Sequence, residues 1–101
     1  MKTQKNSLRE LVYEFLRKIP KGKVVTYKML AEKFQSHPRA IGRLIGKNHE
    51  QEKYPCYKVV GSDGSLRGYN LGLPEKISRL EKDGIVVENG KVASTLFWIA
   101  K

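Results

Sequence analysis

The chemistry that this sequence can perform centres on Cys56, the only thiol among its 101 residues. Pro55 precedes it and fixes part of the local backbone. The apolar pair Val59-Val60 follows and predicts a short strand. A thiolate is a strong nucleophile, and basic surroundings favour it over the thiol. Because a lone cysteine is more often a small buried hydrophobic residue, its role depends on the elements that position it.

The charge of the chain indicates a polyanionic partner. Lys and Arg number 20 against 10 Asp and Glu, which gives a formal net charge of +10. On so small a domain this favours nucleic acid first and an anionic membrane surface second, while a solvated basic surface is the simplest alternative. The single cysteine excludes an internal disulfide and a cysteine-rich zinc site, and His37 and His49 lack the spacing of metal ligands.

The length of the chain allows one domain with a modest core, and we expect residues 1–101 to form it without a linker. No apolar run approaches the ~18 residues of a membrane span. The polar residues 1–6 do not have the pattern of a secretory signal. We therefore expect a soluble intracellular protein, in the cytoplasm with the nucleoid, or in the nucleus if the source is eukaryotic.

Three helices are predicted before the cysteine. The first covers residues 7–19, where Ser7 and Glu10 form a capping-box pattern. The second runs from residue 27 to about 34 behind the cap Thr26, and the third runs from Pro38 to about residue 47. The apolar residues predicted to face the core from these helices are Leu8, Leu11, Val12, Phe15, Leu16, Ile19, Leu30, Ala31, Phe34, Ala40, Ile41, Leu44 and Ile45.

The third helix carries a basic stripe, because Arg39, Arg43 and Lys47 recur every four residues. Two helices joined by a short turn, the second with such a stripe, are typical of a helix-turn-helix. Gly42 and Gly46 lie beside the stripe, although a glycine costs about 1 kcal/mol inside a helix. Close approach to a nucleic-acid backbone explains them, and close packing against another helix is the alternative. The stripe alone could also be a solvated face.

The downstream half predicts a strand over residues 57–60, a returning strand at 65–66 and a helix from Pro74 or Glu75 to about residue 83. Ile77 and Leu80 should face the core from this helix, and Gly84 should end it. Asn-Gly at 89–90 predicts a hairpin. Residues 96–99 should close over the core or form a sheet edge. The predicted fold class is α/β, a winged helix-turn-helix-like domain with a short β element that carries the cysteine.

Together these motifs resemble the C-terminal DNA-binding and active-site domain of the O6-alkylguanine-DNA alkyltransferases. That family has Pro-Cys-His-Arg-Val-Val where this chain has residues 55–60, and Arg-Ala-Val-Gly where it has residues 39–42. The further matches are Thr26-Tyr27, Asn48, Gly68-Tyr69, Gly72 and Lys76. The resemblance spans residues 8–84, and six motifs in the same order at compatible spacing make it specific. Larger members carry an N-terminal domain that this sequence lacks.

The resemblance implies a mechanism and a set of site residues. A monomer would bind double-stranded DNA through the minor groove, flip an O6-alkylguanine into a pocket, and transfer the alkyl group once, irreversibly, to Cys56 without a metal or organic cofactor. The implied DNA-binding residues are Arg39, Ala40, Gly42, Arg43, Gly46 and Lys47, with Arg39 entering the base stack. The implied pocket residues are Tyr27, Asn48, Val59 and Tyr69.

Two departures from the family pattern fall on the catalytic residues. Tyr57 stands where the family has the histidine that takes the thiol proton, and Asp83 stands where it has the glutamate that orients the histidine. Tyrosine, with a pKa of about 10, is a poor base, but Tyr57 could hydrogen-bond the thiolate or pass a proton toward Asp83. Lys58 replaces an arginine and loses its bidentate fork. A basic surface should still lower the thiol pKa.

Three functions remain open from the sequence. Alkyl transfer to Cys56 is the first. The second is that of the small alkyltransferase-like proteins, which replace the cysteine, bind alkylated DNA and recruit other repair factors. The third is a plain helix-turn-helix transcription factor, which would explain the charge and the helices but not Tyr69, Lys76 or the Pro-Cys motif.

Overall fold

The computed structural model describes residues 7–48, 50, 53–66 and 72–99. Its helices are α1 (Leu8–Leu16), α2 (Tyr27–Lys33), α3 (Pro38–Gly46) and α4 (Leu73–Lys82), and its strands are β1 (Val25–Thr26) and β2 (Val59–Val60). Two one-turn 3-10 helices, Cys56–Lys58 and Ser94–Leu96, complete the order. The arrangement confirms the predicted mixed α/β class. No helix in these ranges has the length and apolarity to cross a lipid bilayer.

Helix α1 begins as predicted and ends early. The Ser7 hydroxyl accepts from the Glu10 amide while the Glu10 carboxylate accepts from the Ser7 amide, so the capping box is confirmed. Residues 17–19 bond three residues back instead of four, which tightens the chain before Pro20. The expectation that Leu11 faces the core is wrong, since 41% of it is exposed.

The sheet is small and joins distant parts of the chain. Strand β1 pairs in parallel with β2, with Val25 opposite Val59. On the other side Val24 exchanges hydrogen bonds with the tail, accepting from the Trp98 amide at 2.7 Å. The Trp98 ring stacks on Phe15 with ring centroids 5.3 Å apart. The tail therefore extends the sheet and also covers the core, as predicted for residues 96–99.

Two clusters of buried side chains meet at the sheet. The first contains Val12, Phe15, Leu16, Ile19, Val25, Leu30, Ala31, Ile41, Ile45, Cys56 and Val59. The second contains Val24, Val60, Leu80, Ile85 and Val92. Of the other residues predicted to face inward, Phe34, Ala40, Leu44 and Ile77 are half-buried. The cysteine thus belongs to the core between α1, α3 and β2.

The strand predicted over residues 57–60 is shorter than expected. Cys56 begins a 3-10 turn in which the Lys58 amide bonds to the Pro55 carbonyl at 3.1 Å, and the strand starts only at Val59. The β element therefore follows the cysteine instead of carrying it. The predicted returning strand reduces to one bridge between Ser65 and residue 91 among the described residues.

The predicted turns are confirmed by their backbone angles. Asn89 and Gly90 have φ of 54° and 73° and connect the bridge between Glu88 and Lys91, which is the conformation an Asn-Gly hairpin requires. Gly84, with φ of 82°, ends α4 as expected. Helix α4 begins at residue 73, slightly before the predicted start.

A buried ion pair ties the cysteine turn to the rest of the domain. The Lys58 ammonium lies 3.0 Å from the Asp83 carboxylate and donates to the Pro20 carbonyl at 2.9 Å. Asp83 also accepts from the Gly22 amide at 2.8 Å. Only 4% of the Lys58 side chain and 15% of the Asp83 side chain are exposed. The pair joins the end of α4 to the chain between α1 and β1.

Replacing Lys58 with methionine should destabilise the fold by about 3 kcal/mol, because it leaves the buried Asp83 carboxylate without its cation. Lys91→Met is the matched control: Lys91 forms a 3.7 Å pair with Asp63 in which both side chains are more than half exposed, and it should cost less than about 1 kcal/mol. Urea unfolding measures both. Equal costs would contradict a structural role for the buried pair.

Candidate functional site

Cys56 is enclosed by the fold. None of its surface is exposed, and it opens the 3-10 turn that leads into β2. The Asn48 side chain, just after α3, hydrogen-bonds the thiol. Asn48 is itself buried and fixed, since its amide nitrogen donates to the Tyr54 carbonyl at 2.8 Å and its oxygen accepts from the Glu50 amide at 2.9 Å. The end of α3 and the cysteine turn therefore position the thiol together.

Burial raises the pKa of the Cys56 thiol, even though three neighbours act against it. The hydrogen bond from Asn48 and the charges of Lys76 and Arg79 lower the pKa, but they do not overcome the desolvation of the thiolate. The expectation that basic surroundings would lower this pKa is therefore wrong in its net direction. The thiol is protonated at neutral pH.

Lys76 is the second unusual group of the site. It is wholly buried, and its ammonium donates to the Val59 carbonyl at 2.7 Å. Burial lowers the pKa of Lys76 to about 8, while the charge of Cys56 works in the opposite direction. Arg79 lies one turn further along α4, with its Nε 2.7 Å from the Glu75 carboxylate. One face of α4 thus brings two cations to the thiol.

Sequence reasoning matched Lys76 to the family but gave it no role. Its burial could have been predicted from the helical spacing, because Lys76 lies four residues before the buried Leu80 and so shares its face. Nothing in the sequence pattern predicted the burial of Lys58. Arg79 carried no signal of its own.

The resemblance matches Tyr57 and Asp83 to the family's histidine and glutamate. Burial raises the pKa of Tyr57, the negative charge of Asp83 raises it further, and Arg79 lowers it. The phenol is therefore neutral at physiological pH. The Asp83 carboxylate is held by Lys58 and Gly22. Proton relay through these two residues stays a prediction.

Most of the predicted DNA-binding residues are exposed, and Arg39 and Gly42 line a groove with residues of α2. A groove of about 530 Å³ is lined by Tyr27, Lys28, Pro38, Arg39, Gly42, Gly61 and Ser62. Gly61 follows β2 directly, so the groove connects α3 with the segment that carries Cys56. Arg39, Arg43, Gly46 and Lys47 are exposed, and Ala40 and Gly42 are half-buried.

The glycines of α3 do not serve helix packing. Apart from its own helix backbone and chain neighbours, a Cβ atom placed at Gly42 or Gly46 would meet no atom of the described residues within 4 Å. The alternative that these residues allow another helix to approach closely is therefore wrong. What they leave is an open strip on the outer surface of α3.

The structure thus bonds Asn48 to the Cys56 thiol, places Tyr57 and Val59 directly after it in the chain, and places Tyr27 with Arg39 in the groove. The predicted pocket residue Tyr69 lies outside the described residues. Within the described parts of the chain, no group of three or more His, Cys, Asp or Glu side chains could hold a metal ion.

Comparison with known proteins assigns the family. The family described as "6-O-methylguanine DNA methyltransferase, DNA binding domain" matches residues 7–85. The chain belongs to this family. It is 45% identical over 91 residues to a bifunctional methyltransferase/endonuclease of Picrophilus torridus, covering 88% of this chain and 30% of that protein. It is 41% identical over 83 residues to the methylated-DNA–protein-cysteine methyltransferase of Metallosphaera sedula, covering 82% and 53%.

Solved structures confirm the fold. Atl1 of S. pombe, in complex with damaged DNA containing O6-carboxymethylguanine, superposes with a TM-score of 0.80 at 22% identity, over 97% of this chain and all of that one. OGT of Mycobacterium tuberculosis, in complex with DNA, gives 0.72 at 29% identity over 80% of this chain and 51% of that one. The chain spans about half or less of the curated relatives named above.

The burial of the thiol predicts slow reaction with external reagents. Iodoacetamide at pH 8 should alkylate Cys56 at least about tenfold more slowly in the folded protein than in guanidinium, because folding hides the sulfur and raises its pKa. Mass spectrometry over time gives both rates. Equal rates would mean that the thiol is open to solvent.

Proposed function

We propose that this protein binds DNA containing O6-alkylguanine, flips the damaged base out of the duplex and transfers its alkyl group to Cys56, once and irreversibly. The observation that carries the proposal is the preserved thiol, held by Asn48 and the cations of α4 in a member of the methyltransferase family. The protein would act as a monomer, without a cofactor, in the compartment that holds the DNA.

The exposed strip of α3 supports DNA binding by α2 and α3 as a helix-turn-helix. Gly42 and Gly46 leave room for a sugar-phosphate backbone to come close to the helix, which suits approach through the minor groove. Arg39 sits in the groove beside Tyr27 and would enter the space that the flipped base leaves. The related OGT of M. tuberculosis was solved in complex with DNA.

The burial of Cys56 requires the base to leave the duplex. A sulfur with no exposed surface cannot reach O6 of a stacked and paired guanine, so the lesion must come to the protein. Tyr27 would contact the base as it turns, and Tyr69 would close over it. The Val59 carbonyl accepts from Lys76 and keeps a second lone pair that could accept from the guanine amine. The Cys56 carbonyl would serve in the same way.

A second candidate function is a lesion sensor that binds O6-alkylguanine DNA without transfer and recruits another repair protein. The observations that favour it are the raised pKa of the Cys56 thiol and the neutral Tyr57 at the histidine position. Both oppose formation of the thiolate. The retained cysteine favours transfer, since the alkyltransferase-like proteins lack it.

Incubation with a duplex that contains O6-methylguanine should add one methylene to the intact mass of the protein. Because the thioether is not reversed, the gain should stop at one per molecule. Cys56→Ala should bind the duplex and gain nothing. Tight lesion binding by the unaltered protein with no mass gain after many hours would overturn transfer and leave the sensor function.

Gly42→Ala should separate stability from DNA binding. The free space at Gly42 means that alanine should raise the free energy of unfolding by up to about 1 kcal/mol. If α3 lies against the DNA backbone, the added methyl should weaken binding roughly tenfold or more. Ser78→Ala, at an exposed position of α4, is the control and should leave binding unchanged. Higher stability with undiminished binding would remove Gly42 from the interface.

A further inference from the structure

The site needs a proton acceptor that the family's histidine no longer provides. The Tyr57 phenol holds its proton, because burial and the Asp83 charge raise its pKa. Asp83 is already bound by Lys58 and by the Gly22 amide. Among the described residues, Lys76 is a wholly buried basic group whose charge acts on the Cys56 thiol.

The cysteine turn anchors the amine of Lys76 through the Val59 carbonyl. The Lys76 ammonium donates to the Val59 carbonyl at 2.7 Å, and the Val59 amide in turn donates to the Cys56 carbonyl. Both side chains have no exposed surface. The charge of each affects the pKa of the other, so the two buried groups are electrostatically coupled.

We propose that Lys76, as the neutral amine, is the general base that takes the thiol proton of Cys56 during alkyl transfer. The proposal rests on the proposed function above and adds a catalytic residue to it. Lys76 would do in this chain what the histidine does in its relatives, from α4 instead of from the residue after the cysteine.

The step balances without an oxidant or reductant. The S–H bond of Cys56 breaks and its proton forms an N–H bond on Lys76. The sulfur lone pair forms an S–C bond to the alkyl carbon while the C–O6 bond breaks, and its electrons pass to the guanine. The guanine anion takes up one proton through solvent as the Lys76 ammonium releases one. The products are guanine and a thioether.

The other described groups around the pair do not supply the base. From α1, the Tyr13 hydroxyl donates to the Leu44 carbonyl at 2.7 Å, and burial raises the pKa of Tyr13. From α4, Arg79 stays protonated. Asn48 after α3 does not titrate, and Tyr57 in the cysteine turn is neutral and faces Asp83.

The pH dependence follows from the amine. Burial lowers the pKa of Lys76 to about 8, so the neutral amine is a minor form at pH 7 and the major form above pH 8. The transfer rate of the unaltered protein should therefore rise with pH and level off above about 8. A rate that continues to rise steeply beyond that point would follow the thiol alone and overturn the proposal.

Lys76→Arg tests the base against a purely electrostatic role, because arginine keeps the positive charge but cannot accept a proton. We expect its single-turnover rate to fall by about a hundredfold or more and its plateau near pH 8 to disappear, with lesion affinity unchanged. Lys76→Met, which removes a buried charge, should lose the same activity. A Lys76→Arg rate close to that of the unaltered protein would show that only the charge matters.

Lys76→Ala with added methylamine gives a test that does not depend on fitting arginine into the core. Methylamine should restore the rate in proportion to its free-base concentration, while guanidinium at the same concentration should not. Methyl iodide in the absence of DNA provides a second substrate for the thiol. If methylation of Cys56 by methyl iodide depends on Lys76 but O6-methylguanine is left intact, the proposed function fails and the base role stands. If neither reaction depends on Lys76, the base role fails.

Discussion

The joint burial of the Cys56 thiol and the Lys76 amine is the constraint on which the site depends. A charged group taken out of water must be paired or must change its protonation state, and this domain encloses two lysines. Lys58 pairs with Asp83, while Lys76 is anchored on the Val59 carbonyl and has its pKa lowered to about 8. Both lysines stabilise the short turn that begins at Cys56. Lys76 therefore helps to position the thiol and also acts on its protonation.

The proposed DNA-binding surface and the reactive thiol lie on different parts of the domain. The proposed DNA-binding surface lies on the outer strip of α3, where a Cβ at Gly42 or Gly46 would have open space among the described residues. The thiol, in contrast, is buried in the core, and the charges of Lys76 and Arg79 on α4 act on its pKa. A relative could therefore lose the cysteine and keep the surface that reads the lesion, which explains how a sensor and a transferase can share one fold. Under the proposed function, this chain combines that surface and a retained thiol with Tyr57 and Asp83 in place of the family's histidine and glutamate.

Much of the fold could be predicted from short sequence patterns, because caps and turns depend on interactions between neighbouring residues. The Ser7–Glu10 capping box and the Asn89-Gly90 hairpin depend on a few neighbouring residues and formed as expected. The early end of α1 and the exposure of Leu11 depend on tertiary packing. The burial of Lys76 could be predicted only from its helical spacing to Leu80. The raised pKa of the Cys56 thiol could not be predicted from the sequence, because desolvation arises only when the folded chain encloses the sulfur.

We expect the free protein to keep Cys56 as a thiol and to lose its proton only when a lesion arrives. The ultraviolet absorbance of the thiolate, followed against pH and corrected with Cys56→Ala, measures this directly. We predict a midpoint above the ordinary value for a cysteine, because burial outweighs Asn48, Lys76 and Arg79. A midpoint well below that value would contradict the account and would mean that the free protein already stabilises the thiolate.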